Sequence, residues 1–355
     1  MKYKYKNAKY PPNEWLFNEI NIAAGRLYQK LINTEIQHLE ISDDFMRFFE
    51  SKQNSLKTNL IKYGYHLLWA LHNNNRSLSE ISIIDHGGGT GMLGLLAKEL
   101  GIGTVIYNDI NKEWTIDAEN LASKLNLRSE YYISGDYDEL LTFLSMQSIL
   151  CDAIISYNVI EHIYDIYCFF SKLHLINSNS LTIIMSTGAN IYNPLMCKAI
   201  IPSQKIAEYG DKNGRFGNGI PYLKSRELII KDHNSDLSSL EISRLAKATR
   251  GLIKNDIIKV VNSYLSNKDL PTELSHPTNT CDPYSGYWAE HFIEPKKLKE
   301  ILINNKFDVE IMAGYYGVPN NWAKRQLSAV INLIISIFGT RALFISPYWT
   351  IFAKK

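Results

Sequence analysis

The sequence predicts an α/β fold: a seven-stranded, mostly parallel sheet with a helical N-terminal region and a mainly helical insertion. Three observations predict it. Short apolar runs alternate with helical stretches between about residues 80 and 190, the rhythm of βαβ units and a parallel sheet. A glycine-dense turn, "HGGGTG", joins the first of these runs to the helix that follows. Two more apolar runs close the chain after a long stretch rich in Asn, Ser, Pro and Gly.

Each element has its own signal. "NEWLFNEINIAAGRLYQKLI" and "SLKTNLIKYGYHLLWALHN" repeat apolar residues every three or four positions, so residues 1–78 read as helices. "NNNRS" ends that pattern. Strand and helix then pair as "ISIID" with "GMLGLLAKEL", "TVIYND" with "WTIDAENLASKL", "EYYISGD" with "DELLTFLSM", and "CDAIISYN" with "DIYCFFSKLHLI". "SLTIIMST" is the fifth strand. Residues 191–290 break the alternation, with two expected helices, "SSLEISRLAKATRGL" and "NDIIKVVNSYL". Helix "EPKKLKEILINN", strand "FDVEIMAGYYG", an apolar helix and strand "PYWTIFAKK" complete the chain.

The totals bound the function. Of 355 residues, 45% are hydrophobic and 21% charged, which suits a globular protein with a core. A net charge of +2 leaves no basic footprint for nucleic acid, and the start "MKYKYKNAKY" reads as a solvated arm. Cys151, Cys168, Cys197 and Cys281 form no CxxC pair, so neither a zinc site nor a disulfide framework is expected. The N-terminus lacks the apolar core of a signal peptide, and the expected location is cytoplasmic. The most apolar segment, "LSAVINLIISIFG", is shorter than the ~20 residues that span a bilayer. Ser328, Asn332 and Ser336 make one narrow polar stripe on it. It reads either as a helix buried on most sides, at a homodimer contact, or as a peripheral helix, residues 327–338, lying against a membrane or lipid-linked substrate.

The glycine turn fits two patterns. Gly89-Thr-Gly91-Met-Leu-Gly94 satisfies the GxGxxG dinucleotide fingerprint. Asp85-His-Gly87-Gly-Gly89-Thr-Gly91 satisfies DxGxGxG. The strand ends near Ile84 or Asp85, and a dinucleotide loop places its first glycine at the strand end, which Gly87 does and Gly89 does not. A pyrophosphate would also meet repulsion from Asp85, whereas a cation would be attracted. Downstream, acids follow strands two and three as Asp109 and Asp136, and "SYNVIEHIYD" follows strand four.

These motifs, with "EHFIEPKKLKEILINNKF" near the C-terminus, resemble class I S-adenosylmethionine-dependent methyltransferases of the ubiquinone-type, small-molecule group. The resemblance covers roughly 80–190 and 288–355. It implies a Rossmann-like sheet whose last strand enters antiparallel, with S-adenosylmethionine as cofactor. Together with the sequence pattern this divides the chain into a helical cap over 1–78, a cofactor-binding core over 79–190, an insertion and substrate lid over 191–290, and the rest of the core sheet over 291–355. Gly87, Gly89 and Gly91 would let the backbone lie against the methionine part of the cofactor. Asp85 would orient the loop and favour the ammonium, Asp109 would accept ribose hydroxyls, and Asp136 would meet the adenine amine. Ile110 and Tyr137 would flank the ring, and Asn158 would stand near the methionine end. His86 reads as either an outward-pointing loop residue or a contributor to binding.

Chemistry at the acceptor needs a base. His162 and His291 are the candidates, because histidine exchanges protons near neutral pH; Glu161 and His162 also read as a structural pair between helix and sheet. In this family a carboxylate, two spacers and Glu-His can bind a divalent cation; here Asn158 replaces the carboxylate ahead of Glu161 and His162, and no metal is assigned. The insertion's end gathers His276, Asp282, Tyr284, Tyr287, Trp288, Glu290 and His291, an aromatic and polar set suited to a substrate pocket. The expected partner is a small-molecule or glycan acceptor of O-methylation, a sugar or nucleotide sugar foremost. A lipid-linked or isoprenoid acceptor, an NAD(P)-dependent oxidoreductase and a non-catalytic cofactor-binding subunit are the alternatives.

Overall fold

The computed structural model describes residues 13–36, 39–72, 74–216, 219–270, 279–317, 319 and 321–355. The N-terminal arm up to Pro12 and His276 lie outside the described residues. The chain divides into two compact units. Unit 1 comprises Met1–Val159, Tyr167–Thr187 and Pro295–Lys355, and unit 2 comprises Ile160–Ile166 and Gly188–Glu294.

Unit 1 opens with α1 (Glu14–Asn33), α2 (Asp43–Lys52) and α3 (Leu56–Ala70). Asn13 caps α1 by accepting from the Leu16 amide, and Ser42 caps α2 by accepting from Phe45. Strands and helices then alternate: β1 (Ser82–His86), α4 (Met92–Leu100), β2 (Thr104–Asp109), α5 (Lys112–Lys124), β3 (Tyr131–Ser134), α6 (Tyr137–Met146), β4 (Ala153–Tyr157), α7 (Ile166–Lys172) and β5 (Thr182–Thr187). Later come α8 (Pro194–Tyr209), α9 (Tyr222–His233), α10 (Ser239–Ala248), α11 (Lys254–Asn267), α12 (Pro295–Asn304), β6 (Asp308–Ala313), α13 (Trp322–Phe338) and β7 (Trp349–Lys354).

The seven strands form one sheet in the order β3-β2-β1-β4-β5-β7-β6. The first five run parallel to their neighbours, and β7 runs antiparallel to β5 and β6. Every residue of β1 and of β5 is buried, as expected where both faces of a sheet are covered. The α/β sheet with its antiparallel last strand is the fold the sequence predicts.

The N-terminal helices are not a separate cap. Their buried residues, from Leu16 to Leu71, join one hydrophobic cluster with Ile83, Leu96, Val105 and Ile155 of the sheet layer. Glu99 on α4 takes Arg26 at 2.6 Å and Lys30 at 2.7 Å from α1, and the Ser42 hydroxyl donates to Asp117 on α5 at 2.5 Å. Within α3 the run Gly64–Ala70 is buried without a break. A helix apolar on all sides is one enclosed by its neighbours. His66 in that run lies 2.5 Å from the Ser186 hydroxyl of β5, and burial pushes its pKa down to about 4.

Among its described residues unit 2 holds four α-helices, α8 to α11, where the sequence suggested two. Pro202 inside α8 hides the first from a periodicity reading, and α9 is short with charges spread around it. Its borders fall at Gly188 and Glu294 rather than at 191 and 290. Ile229, Ile230, Leu245, Ile257 and Val261 form its core. Beside them lies a buried ionic knot. Glu208 accepts from Arg226 at 2.5 Å, from Arg250 at 3.2 Å and from the Thr280 hydroxyl at 2.6 Å, while Arg226 also donates to the Ala246 carbonyl at 2.8 Å.

α13 departs most from expectation. It is not buried on most sides. Ser328, Asn332 and Ile335 face the protein, and Asn332 pairs with Tyr316, accepting from its amide at 2.8 Å and donating to its carbonyl at 2.9 Å. Ser328 and Asn332 of the polar stripe form the inner face, while Ser336 is half-buried.

Breaking the ionic knot should be costly. Arg226→Ala leaves the buried Glu208 carboxylate short of its strongest partner, and the loss should be about 3–5 kcal/mol. Urea denaturation checks this; a loss below about 1 kcal/mol would show that the knot is not what holds unit 2.

Candidate functional site

In unit 1 the candidate residues meet at the carboxyl ends of neighbouring strands. β3, β2, β1 and β4 are adjacent in the sheet, and Asp136, Asp109, the glycine turn and Asn158 follow them in that order. This is the edge where open α/β sheets bind ligands.

β1 runs to His86, so Gly87 is the first residue of the turn. The amides of Gly87 and Gly88 donate to the Asn108 carbonyl at 2.8 and 3.0 Å, and the Tyr107 hydroxyl donates to the Gly89 carbonyl at 2.7 Å. The glycines serve two purposes. A β-carbon on Gly87 would run into Val159, and one on Gly88 into the Tyr107 ring. Those two are small because the protein itself is close. Gly89 and Gly91 have φ of +53° and +73°, and nothing lies nearer than 3.9 and 3.6 Å to a β-carbon built there. They are glycine because the left-handed backbone favours it, and the space over Gly89 is open. Clearance for a ligand is therefore a reason at Gly89, not at Gly87.

Asp85 is 3% exposed and accepts from the Gly94 amide at 2.9 Å. It ties the strand to the first turn of α4, where four amides lack helical partners. Burial raises its pKa to about 7, with the Asp109 charge adding to the shift against the Gly94 bond. Asp109 accepts from the Gly89 amide and the Asn111 amide, both at 2.9 Å, and burial pushes its pKa up. Two carboxylates thus stand together in a poorly solvated crevice, and the Asp109 charge disfavours that of Asp85.

Asp136 is exposed and caps α6, accepting from Asp138 at 2.7 Å; its hydrogen bonding with Glu139 is the main cause holding its pKa below the usual range. Ile110 is 70% exposed, an apolar side chain left open beside Asp109. Tyr137, expected as the second wall, is only 7% exposed and packs edge-on against Phe169 at 4.8 Å. Its ring faces protein, because it begins α6 and turns inward. Asn158 is exposed with φ +56°, a backbone state that Asn tolerates and most residues avoid. His86 points inward: it belongs to β1, lies 2.7 Å from Asn108 and stacks on Phe169 at 5.1 Å. Burial lowers its pKa to about 4.

Sequence reasoning missed one wall. Lys62 of α3 donates to the Tyr157 hydroxyl at 3.0 Å, and the Tyr63 ring meets the Tyr157 ring at 5.2 Å. Burial raises the Tyr63 pKa, and Tyr157 and Asp85 raise it further. The "KYGYH" stretch inside an otherwise apolar helix was the available signal.

In unit 2, His162 lies in a short 3-10 turn, Ile160–His162. Its Nδ1 faces the Trp288 carbonyl at 2.8 Å and its ring stacks on Tyr287 at 4.4 Å. A carbonyl only accepts, so Nδ1 carries the proton and Nε2 carries the lone pair. Burial lowers the His162 pKa, which keeps the ring neutral. His291 is half-buried; its amide donates to the Glu161 carbonyl at 3.0 Å and its ring lies 4.1 Å from Trp288. The structure thus brings His162, Tyr287, Trp288 and His291 together. Tyr284 is exposed, and Asp282 caps the turn before it. Glu161, His162 and Glu290 could hold a metal ion, since their ligand atoms lie within 4.8 Å of one another. Glu290 arrives from the far end of the insertion, too distant in the chain for the spacing around Glu161 and His162 to reveal it.

Asp85 makes a testable pH signature. Its folded-state pKa lies above its ordinary value, so the folded chain holds its proton more tightly than the unfolded chain. The stability gained is present below about pH 4 and is lost as pH rises through about 7. Asp85→Asn keeps an acceptor for Gly94 without that proton. Relative to wild type, the variant should gain stability steadily between pH 4 and pH 7, read by urea unfolding; a flat difference would place the Asp85 pKa in the ordinary range.

No protein-family model matches the chain, and no curated protein matches it. Solved structures do resemble it. The plantazolicin methyltransferase BpumL, solved with a triazolic desmethylPZN analog and SAH, is 13% identical over 96% of this chain and 98% of that one, with a TM-score of 0.40. A SAM-dependent methyltransferase from Archaeoglobus fulgidus is 16% identical over 87% of this chain and 99% of that one, TM-score 0.38. A SAM-dependent methyltransferase from Agrobacterium tumefaciens is 14% identical over 37% of this chain, TM-score 0.30, and the chain spans 45% of its length. At such scores the likeness carries no argument about activity, which has to come from the site.

Proposed function

We propose that the chain is an S-adenosylmethionine-dependent methyltransferase that methylates a hydroxyl of a small molecule, foremost a sugar or nucleotide sugar. The observation that supports it is the pair of carboxylates, buried Asp85 and half-buried Asp109, beside the open turn at Gly89. A cationic ligand there would offset the charge that burial disfavours. A pyrophosphate would meet two acids instead, which weighs against a nicotinamide dinucleotide.

The residues present fit the cofactor. Gly89 leaves its space open, Asp85 offers negative charge near the turn, and Asp109 keeps lone pairs beyond those used by Gly89 and Asn111 for a ribose diol. Ile110 offers an apolar face to an adenine ring, and Asp136 stands exposed at the next strand end. S-adenosylmethionine, when bound, supplies a methyl on a cationic sulfur that departs as a neutral thioether. The chain's own task is to align the acceptor hydroxyl, exclude water and take up its proton. His162 suits the last step: it is neutral, oriented through Nδ1, and able to accept a proton at Nε2. His291 is the second candidate. A lipid-linked or isoprenoid acceptor is the alternative that the exposed apolar face of α13 favours.

S-adenosylmethionine and S-adenosylhomocysteine should each raise the melting temperature, by the equivalent of about 2.7 kcal/mol at 100 times Kd. Stabilisation by NADH with none from either compound would overturn the reading. Calorimetric titration should show S-adenosylmethionine binding tightening from pH 6 to pH 8 with proton release, because the cation favours ionised Asp85; Asp85→Asn should bind more weakly and without that slope. At saturating cofactor, His162→Ala or His291→Ala should cost roughly 10²–10⁴-fold in turnover; unchanged rates in both would remove the base assignment.

A further inference from the structure

Helix α13 is built inside out. Its polar members Ser328 and Asn332 face the sheet layer, and the opposite face carries Leu327, Val330, Leu333, Ile334, Ile337 and Phe338, all exposed. Leu333 is 60% and Ile337 66% exposed. Among the described residues, Trp322–Ile345 is the one helical stretch long and apolar enough to cross a membrane, and most of its apolar window is not buried in the protein. A contiguous apolar face of this kind normally marks a docking surface.

The charges around it point to one occupant. No Asp or Glu follows Glu310 in the chain, while Lys324, Arg325, Arg341, Lys354 and Lys355 do. Lys324 and Arg325 sit in the first turn of α13, where the helix dipole disfavours cations. Helix stability does not explain them; an anionic partner does. A second copy of this chain would bring the same cations to its rim with no acid in the segment to meet them. A spanning helix is also a poor fit. α13 proper is about 26 Å long at 1.5 Å per residue, less than the ~30 Å hydrocarbon core, and leaving the sheet would strip the Asn332 side chain of its two bonds to Tyr316. A helix with an apolar face and flanking cations lies in the plane of a membrane interface. A cleft of about 260 Å³, lined by Glu310, Met312, Tyr315, Ile335, Ile337 and Phe338, lies beside β6 at the border of this face.

We infer that the outer face of α13 docks the protein onto an anionic lipid surface, its apolar residues entering the acyl boundary and Lys324, Arg325 and Arg341 meeting the headgroups. The attachment is peripheral and independent of the cofactor reading.

Flotation of the full chain with vesicles tests it. Vesicles of phosphatidylcholine with 30% phosphatidylglycerol should bind at least tenfold more protein than phosphatidylcholine alone, and 0.5 M salt should release it. Lys324→Glu with Arg325→Glu should cut binding by about fivefold per charge. Leu333→Glu with Ile337→Glu should abolish it, with an unchanged circular dichroism melt reporting a retained fold. No binding, or equal binding to neutral and anionic vesicles, overturns the inference. So does a dimer in analytical ultracentrifugation that Ile337→Glu dissociates, which would mean a second copy covers the face, and so does retention after an alkaline carbonate wash, which would mean the helix spans.

Discussion

Asp85 accepts the Gly94 amide at 2.9 Å from the end of β1, and Asp109 accepts the Gly89 amide at 2.9 Å from the end of β2. These two bonds hold the glycine turn between strand and helix. They also place two carboxylates in one crevice with little water to separate them. Burial is the main cause of the raised pKa of each, and the Asp109 charge raises that of Asp85 further. The same tension that costs stability makes the crevice receptive to a cation, so the structural and the binding roles of these acids are one arrangement.

Within unit 1 the neighbours of that crevice are specialised. Tyr107 packs under Gly88 and donates to the Gly89 carbonyl, so the turn is clamped from below while its upper side at Gly89 stays open. α3 closes another side, with Lys62 and Tyr63 against Tyr157. The N-terminal helices therefore belong to the sheet's own core and supply part of the wall. In unit 2 the backbone of Trp288 sets which nitrogen of His162 is protonated. A carbonyl dictates the tautomer because it cannot donate, and a neutral imidazole with a fixed lone pair follows.

The two units solve burial differently. Unit 1 relies on a continuous apolar cluster. Unit 2 has a smaller apolar core and adds the Glu208, Arg226 and Arg250 knot, in which each ion is desolvated but multiply bonded. Such knots add little net stability over apolar packing but penalise any alternative arrangement that leaves one ion alone. α13 reverses the usual amphipathic order, and the Asn332 bonds to Tyr316 show why a polar side can be the inner one: the backbone past β6 needs partners that an apolar side chain cannot offer.

Local chemistry was enough to read the alternation of strands and helices, the turn after β1 and the acids at strand ends, because each depends on period, glycine content or position within a few residues. Asp85, Asp109 and Asp136 stand at strand ends as the pattern required. Four helices rather than two in unit 2, Tyr137 turned into the protein, His86 pointing inward, Glu290 beside Glu161 and His162, and α3 as a wall were all beyond it. Each depends on what packs against the residue from far away in the chain. The sequence by itself determined which groups could do chemistry and on which strands they stand; the tertiary structure alone decided which side chains face a ligand and which face their own fold, because burial and long-range partners are properties of contacts that no local pattern encodes.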